Sequence, residues 1–317
     1  MRGFMRYLAG LVLGLLLAGG AGGQSLSIGT GSVGGVYHPL GSGMASVLSK
    51  AVPGWQVRAE VTGASVDNLR LISAGKADMG FAMADSAWEA YIGSDRFRND
   101  KVPARTLLLL YPNRMHVVAR ADSGIARMQD LRGKRVALGA AGSGTEVMAQ
   151  RVLEAAGLDN AVRAERMELA ESVAALKAGR IDALFWAGGL PTAAVAALAT
   201  SPGVKLRFID HAEVVDALNK KWGPLYLKDA IPAGTYSGQD KPVAIATVWN
   251  VLAASDRMPD ATAYAIVKTL LERRGELEAA HPEARNISLA NQQNAYSPIP
   301  FHPGAARYLA ERGVKVK

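Results

Sequence analysis

Residues 64–82, ASVDNLRLISAGKADMGFA, and residues 171–187, ESVAALKAGRIDALFWA, carry one pattern twice. Each has apolar residues at helical spacing, then a glycine, then an acid, then an apolar run with strand character. The joints align closely, AGKADMGF at 74–81 against AGRIDALF at 178–185. Gly75 and Gly179 supply the left-handed residue that closes a helix, and the run after each enters a sheet. Asp78 and Asp182 occupy equivalent places, so a role in the turn is favoured over an acid–base pair.

The pattern extends upstream of both copies. The first begins LSIGTGSVGG (26–35) and continues through WQVRAEV (55–61); the second begins VALGAAGSGT (136–145) and continues through AVRAERMEL (161–169). Each copy therefore reads strand, glycine turn, helix, strand, helix, strand. Two βαβαβ units predict an α/β protein of two lobes, each a mostly parallel sheet flanked by helices. Ligands of such sheets sit beyond the carboxyl ends of the strands, where helix N-termini point. RTLLLLYPNRMHVVARADSG (105–124) reads as run, turn, run between the lobes, and KPVAIATVWNVLAAS (241–255) as a second passage. The helical segment 261–281 and the tail from Pro298 then return to the first lobe. The expected division is a leader over 1–23, one lobe from 24–118 plus 246–317, and another from 119–245.

LAGLVLGLLLAGG (8–20), behind Arg2 and Arg6 and ahead of small residues, has the layout of a secretory signal peptide. The competing reading is a retained anchor, but the run is short for a span of about 20 residues. Cleavage before Gln24 leaves 34 basic against 28 acidic residues in a chain of 317. That mild excess steers anions; the basic residues are scattered and form no nucleic-acid stripe. There is no cysteine, which excludes disulfides, thiolate metal sites, a cysteine nucleophile and a lipidated N-terminal cysteine. The expected location is the periplasm.

IGTGSVGGVYHPLG (28–41) contains G-x-G-x-x-G through Gly29, Gly31 and Gly34. A dinucleotide site needs an acid about 20 residues on, and Glu60 is a poor candidate. The export signal and the second, differently spelled glycine turn at 139–144 speak against that reading. Glycines between strand and helix also present free backbone amides to an anion, each such contact being worth roughly 0.3–1 kcal/mol when exposed. Ser32, Ser65 and Ser143 place hydroxyls at these ends. Ser143 with Glu146 forms a capping box, so capping and ligand contact both remain open for it. No G-x-S-x-G serine occurs, and the histidines are isolated. Neither a catalytic group, a metal nor a cofactor is expected.

The motifs at 28–41, 62–82, 110–125 (LYPNRMHVVARADSGI), 130–146 (DLRGKRVALGAAGSGTE), 231–243 (IPAGTYSGQDKPV) and 301–313 (FHPGAARYLAERG) together resemble the TAXI group of solute receptors for tripartite ATP-independent periplasmic (TRAP) transporters. The resemblance implies a class II periplasmic-binding-protein fold with two hinge crossings. It also implies a receptor that closes on a small anionic solute of the glutamate, glutamine or 2-oxoglutarate kind and delivers it to a TRAP permease. Carried onto this chain, the ligand residues would be Thr30, Gly31, Ser32, Tyr37, Ser65, Val66, Asp85 and Ser86 from one lobe. Gly142, Ser143, Gly144, Thr145, Phe185, Trp186 and Gly188 would come from the other. For Trp186, core packing is an equal alternative. Met83 and Ala84 stand where the family often has a glutamine, which makes that wall less polar. The alternatives are a receptor for an ATP-driven (ABC) importer or a sensor, and an exported enzyme using the same cleft.

Overall fold

The computed structural model describes residues 23–317, so the leader segment expected over 1–23 lies almost wholly outside the described residues. The first copy of the repeat folds as β1 (Gln24–Gly29), α1 (Tyr37–Ala51), β2 (Trp55–Glu60), α2 (Ser65–Ser73) and β3 (Met79–Met83), followed by α3 (Ala84–Ile92) and a long β4 (Ala104–Arg120). The second folds as β5 (Arg135–Ala137), α4 (Gly144–Ala155), β6 (Arg163–Glu165), α5 (Leu169–Lys177) and β7 (Ala183–Gly188). Then come α6 (Ala193–Ala199), β8 (Leu206–Phe208), α7 (Val215–Trp222), β9 (Tyr226–Ile231) and a second long strand, β10 (Val243–Ser255). The chain ends in α8 (Asp260–Glu272), α9 (Arg274–Glu278) and α10 (Pro303–Glu311).

The repeat is visible in the strand order. One sheet runs β2-β1-β3-β10-β4-β7-β5-β6, so β2-β1-β3 at one end matches β6-β5-β7 at the other. Within each triplet the ladders are parallel. Every antiparallel ladder involves β4 or β10, so each unit's own triplet is parallel as expected and the antiparallel pairing comes from the two long strands. The repeated aspartates do one job twice. Asp78 accepts the backbone N–H of Ser27 on β1, and Asp182 accepts that of Arg135 on β5, each at 2.8 Å. Each acid thus ties the foot of its unit's last strand to the first. Gly75 and Gly179 have φ of 67° and 69°, which close the preceding helices at no steric cost.

The turn expected within 105–124 does not interrupt the strand; β4 runs on through Pro112 to Arg120. Proline lacks a donor, and beside it β4 carries an extra residue: Trp249 pairs with Pro112 and Val251 with Leu109, so Leu110 and Tyr111 stand opposite Asn250 alone. Asn250, opposite this bulge, bridges Tyr37 and the carbonyl of Tyr111. The crossings are therefore two long paired strands. One apolar core gathers β1–β3, the first half of β4, the end of β10 and α8–α10. The second gathers the rest of β4, α4, β7 and α7.

His116 and His211 are buried and neutral. His116 Nδ1 donates towards the carbonyls of Arg114 and Trp186, and its Nε2 accepts from Tyr236 at 2.8 Å. Burial lowers both His116 and His211 from 6.5 to about 4, against the opposing pull of backbone carbonyls. The folded state therefore refuses protons that the unfolded chain accepts. Stability should be full above pH 6.5, fall as pH drops towards 4, and level off below, by on the order of 3 kcal/mol per histidine. Urea titrations at pH 7.5, 5.5 and 4.5 check this; a flat profile would contradict it. Carrying His116→Gln should flatten part of the slope.

Candidate functional site

The carboxyl ends of the strands are set by Asn68, a buried residue that sequence reasoning missed. Its Nδ2 donates to the carbonyls of Gly29, Thr30 and Phe81, and its Oδ1 accepts from Thr62. A side chain at Gly29 or Gly80 would collide with it, which explains these two glycines without any ligand. Asn68 thereby fixes the loop 30–36 and the start of α2. Ala64, the residue before α2, holds φ 70° and ψ −143°, a conformation ordinarily left to glycine. Its N–H is held by Thr62.

A small cavity lies between the lobes. Three helices start at its wall. The N-termini of α1 and α2 come from one lobe and that of α4 from the other. Neither α1 nor α2 has a side-chain cap, so their first amides keep their donors. Ser143 caps α4, its Oγ accepting the Glu146 N–H at 3.1 Å and keeping its own proton to donate. Ser65 likewise accepts the Met83 N–H and keeps a proton. The Glu146 carboxylate, which would oppose an anion, is turned outward to Arg166, Arg96 and the Gly142 N–H. None of the residues lining the cavity has a charged side chain. Val36, Met83, Leu169 and Trp186 supply apolar walls, and burial keeps the Tyr37 and Tyr111 hydroxyls protonated.

Of the residues expected at a ligand, Gly31, Ser32, Tyr37, Ser65, Ser143, Gly144, Thr145, Trp186 and Gly188 line this cavity. The others lie elsewhere. Thr30 is buried, its hydroxyl and amide both donated to the Glu60 carbonyl. Val66 and Phe185 belong to the two apolar cores. Gly142 only lends its N–H to Glu146. Asp85 points away, to Arg151 at 3.2 Å and Tyr226 at 2.8 Å, and Ser86 is fully buried beside it. Trp186 lines the cavity and also donates Nε1 to Thr192 at 3.1 Å. Arg114 is paired with Asp229 and Glu283. Tyr111 and Asn113, which line the cavity from β4, were not expected there. Their signal was hidden because the segment around them reads as a turn.

The lobes touch across the cleft. Ser32 hydrogen-bonds Glu168, the Ala194 N–H donates to the Gly34 carbonyl at 3.3 Å, and the Leu190 N–H donates to Glu283 at 2.7 Å. This is a closed arrangement, with groups of both lobes around one space.

Two βαβαβ units joined by a pair of long strands, with a cavity between them, constitute the fold of periplasmic solute-binding proteins. The chain belongs to the NMT1-like family, whose model matches residues 28–313. Among solved structures it resembles a putative L-cystine ABC transporter protein from Listeria monocytogenes, with 16% identity, TM-score 0.51, and 81% of this chain and 94% of that one covered. It also resembles a protein of glutathione import via GshT and the cystine ABC importer TcyBC of Streptococcus mutans, with 15% identity, TM-score 0.50 and coverage of 82% and 94%. The alkanesulfonate-binding protein SsuA from Xanthomonas axonopodis pv. citri, bound to MOPS, matches at 19% identity and TM-score 0.49, over 90% of this chain and 83% of that one.

Proposed function

We propose that this protein is a non-catalytic extracytoplasmic receptor that closes on a small carboxylate-bearing solute and presents it to a membrane permease. The observation that carries the reading is the convergence of three helix N-termini from both lobes on an uncharged cavity with hydroxyls free to donate. Such amides hold an anion without a cationic side chain. Because they come from opposite lobes, the solute contacts all of them only in the closed state, and that differential affinity drives hinge closure. The moving units would be 24–118 with 246–317, and 119–245, with 1–23 removed on export to the periplasm.

Glutamate, glutamine and 2-oxoglutarate are the ligands that the sequence resemblance suggests. For delivery, the same resemblance suggests a TRAP permease, while the similar solved structures come from ABC importers and support that alternative better. Reconstituted uptake with a TRAP or an ABC permease separates the two, since one needs an ion gradient and the other ATP.

Native mass spectrometry of protein purified from the periplasm, then calorimetry with C3–C6 carboxylates, tests the receptor reading. A stoichiometric complex of micromolar or tighter affinity, about −8 kcal/mol, is expected. Ser143→Ala and Ser65→Ala should each weaken it several-fold, one neutral hydrogen bond being worth about 1 kcal/mol. Binding that ignores both substitutions would move the site elsewhere.

A further inference from the structure

Tyr111 and Asn113 stand two residues apart on β4, hence on one face of the strand. Both line the cavity, and they are 0% and 2% exposed. The Tyr111 hydroxyl and the Asn113 Oδ1 have no hydrogen-bond partner among the described residues. Leaving a buried polar group unpartnered is costly, and two such groups on residues lining one cavity define a place where a ligand group completes the bonding. The main chain here is already satisfied: the Asn113 carbonyl accepts from Thr247 and that of Tyr111 from Asn250. What is left over is one hydroxyl and one amide.

Resting on the receptor reading above, we infer that Tyr111 and Asn113 are specificity-determining residues that read a hydroxyl on the solute, making a small hydroxycarboxylate the preferred class. The hydroxyl donates to Asn113 Oδ1 and accepts from the Tyr111 O–H, so both vacancies close at once. An oxo group can only accept and leaves Asn113 Oδ1 unmet. An ammonium can donate, but no carboxylate lines the cavity to balance its charge, and the partial positive ends of α1, α2 and α4 oppose it. Burial holds the Tyr111 hydroxyl protonated, so it remains a donor. The carboxylate then lies at the amides of α2 and α4, and the carbon skeleton between Met83, Leu169 and Trp186.

The test uses triads of equal skeleton, from lactate, propanoate and alanine up to 2-hydroxyglutarate, glutarate and glutamate, titrated into the mature protein. Within the tightest-binding skeleton the hydroxy acid should bind at least about tenfold better than the deoxy and amino acids. Tyr111→Phe, which removes no bond made by the protein, should lose about tenfold for the hydroxy acid and leave the deoxy acid unchanged. Asn113→Asp, which keeps an acceptor and supplies the missing countercharge, should gain the amino acid. Equal affinities across a triad, or variants that weaken hydroxy and deoxy acids alike, overturn this assignment while the receptor reading stands. If no carboxylate of any triad binds, the receptor reading fails and takes the inference with it.

Discussion

Arg151→Leu is expected to cost about 3–5 kcal/mol of stability, the penalty for stripping the cation from a buried ion cluster. Arg151, on α4, is 7% exposed at its side chain and meets Asp85 at 3.2 Å, Glu89, and the hydroxyl of Tyr226 at 2.7 Å. Asp95 stands at 3.4 Å, and the Trp222 ring lies 5.2 Å from the guanidinium. Asp85 and Glu89 are buried on α3, so without Arg151 two carboxylates lose their cation where water does not reach. For a protein of this size the loss corresponds to a drop in melting temperature on the order of 10 °C. Thermal and urea denaturation of the purified variant measure it. Adding Asp85→Leu and Glu89→Leu to Arg151→Leu should recover part of the loss, since an absent charge needs no partner. A change below about 1 kcal/mol for the single variant would show that the carboxylates do not depend on this arginine.

Gly144→Val should leave a folded protein that no longer retains its solute. A Cβ at Gly144 would stand 2.5 Å from Ser65 Oγ and 2.6 Å from Met83 Sδ, both on the opposite lobe. Gly144 begins α4 and needs no left-handed backbone, so valine is compatible with the helix and incompatible with closure. If closure supplies half of the ligand's contacts, its loss costs affinity by about a hundredfold or more. The melting temperature without ligand should change by only a few degrees. Small-angle scattering should show no compaction on adding ligand. Undiminished affinity would mean that the solute binds to one lobe alone and that closure contributes nothing. Gly35→Ala, directed at the Trp186 ring 2.9 Å away, tests the same contact from the other lobe.

The repeat was legible because local chemistry writes it out. Glycines at 75 and 179, aspartates at 78 and 182, and the apolar runs that follow specify helix stop, turn and strand wherever they occur. Helix starts were legible for the same reason, so Tyr37, Ser65, Ser143 and Gly144 could be placed together at a cleft. Positions chosen by their nearness to those starts fared unevenly. Asp85 sits one residue into α3 and looks available to a ligand, yet its partner is Arg151, far along the chain in the other half. Thr30 and Phe185 lie beside cavity residues in sequence, but Thr30 is tied to the Glu60 carbonyl and Phe185 packs into an apolar core.

Sequence alone thus determined the α/β class, the two units, the equivalent aspartates and the meeting of glycine-lined helix ends. These depend on short-range rules: backbone freedom at glycine, capping by short polar side chains, and the periodicity of apolar residues. Tertiary structure decided the remainder. It decided that β4 passes unbroken through Tyr111–Pro112–Asn113, with a bulge at Leu110–Tyr111 opposite Asn250 of β10. It decided that Glu146 turns outward to arginines, that Asn68 binds three carbonyls, and that two polar groups on the hinge strand are left open to a ligand. Each of these is a pairing between distant segments, and a hydrogen bond or a vacancy exists only after both partners have been brought to the same place.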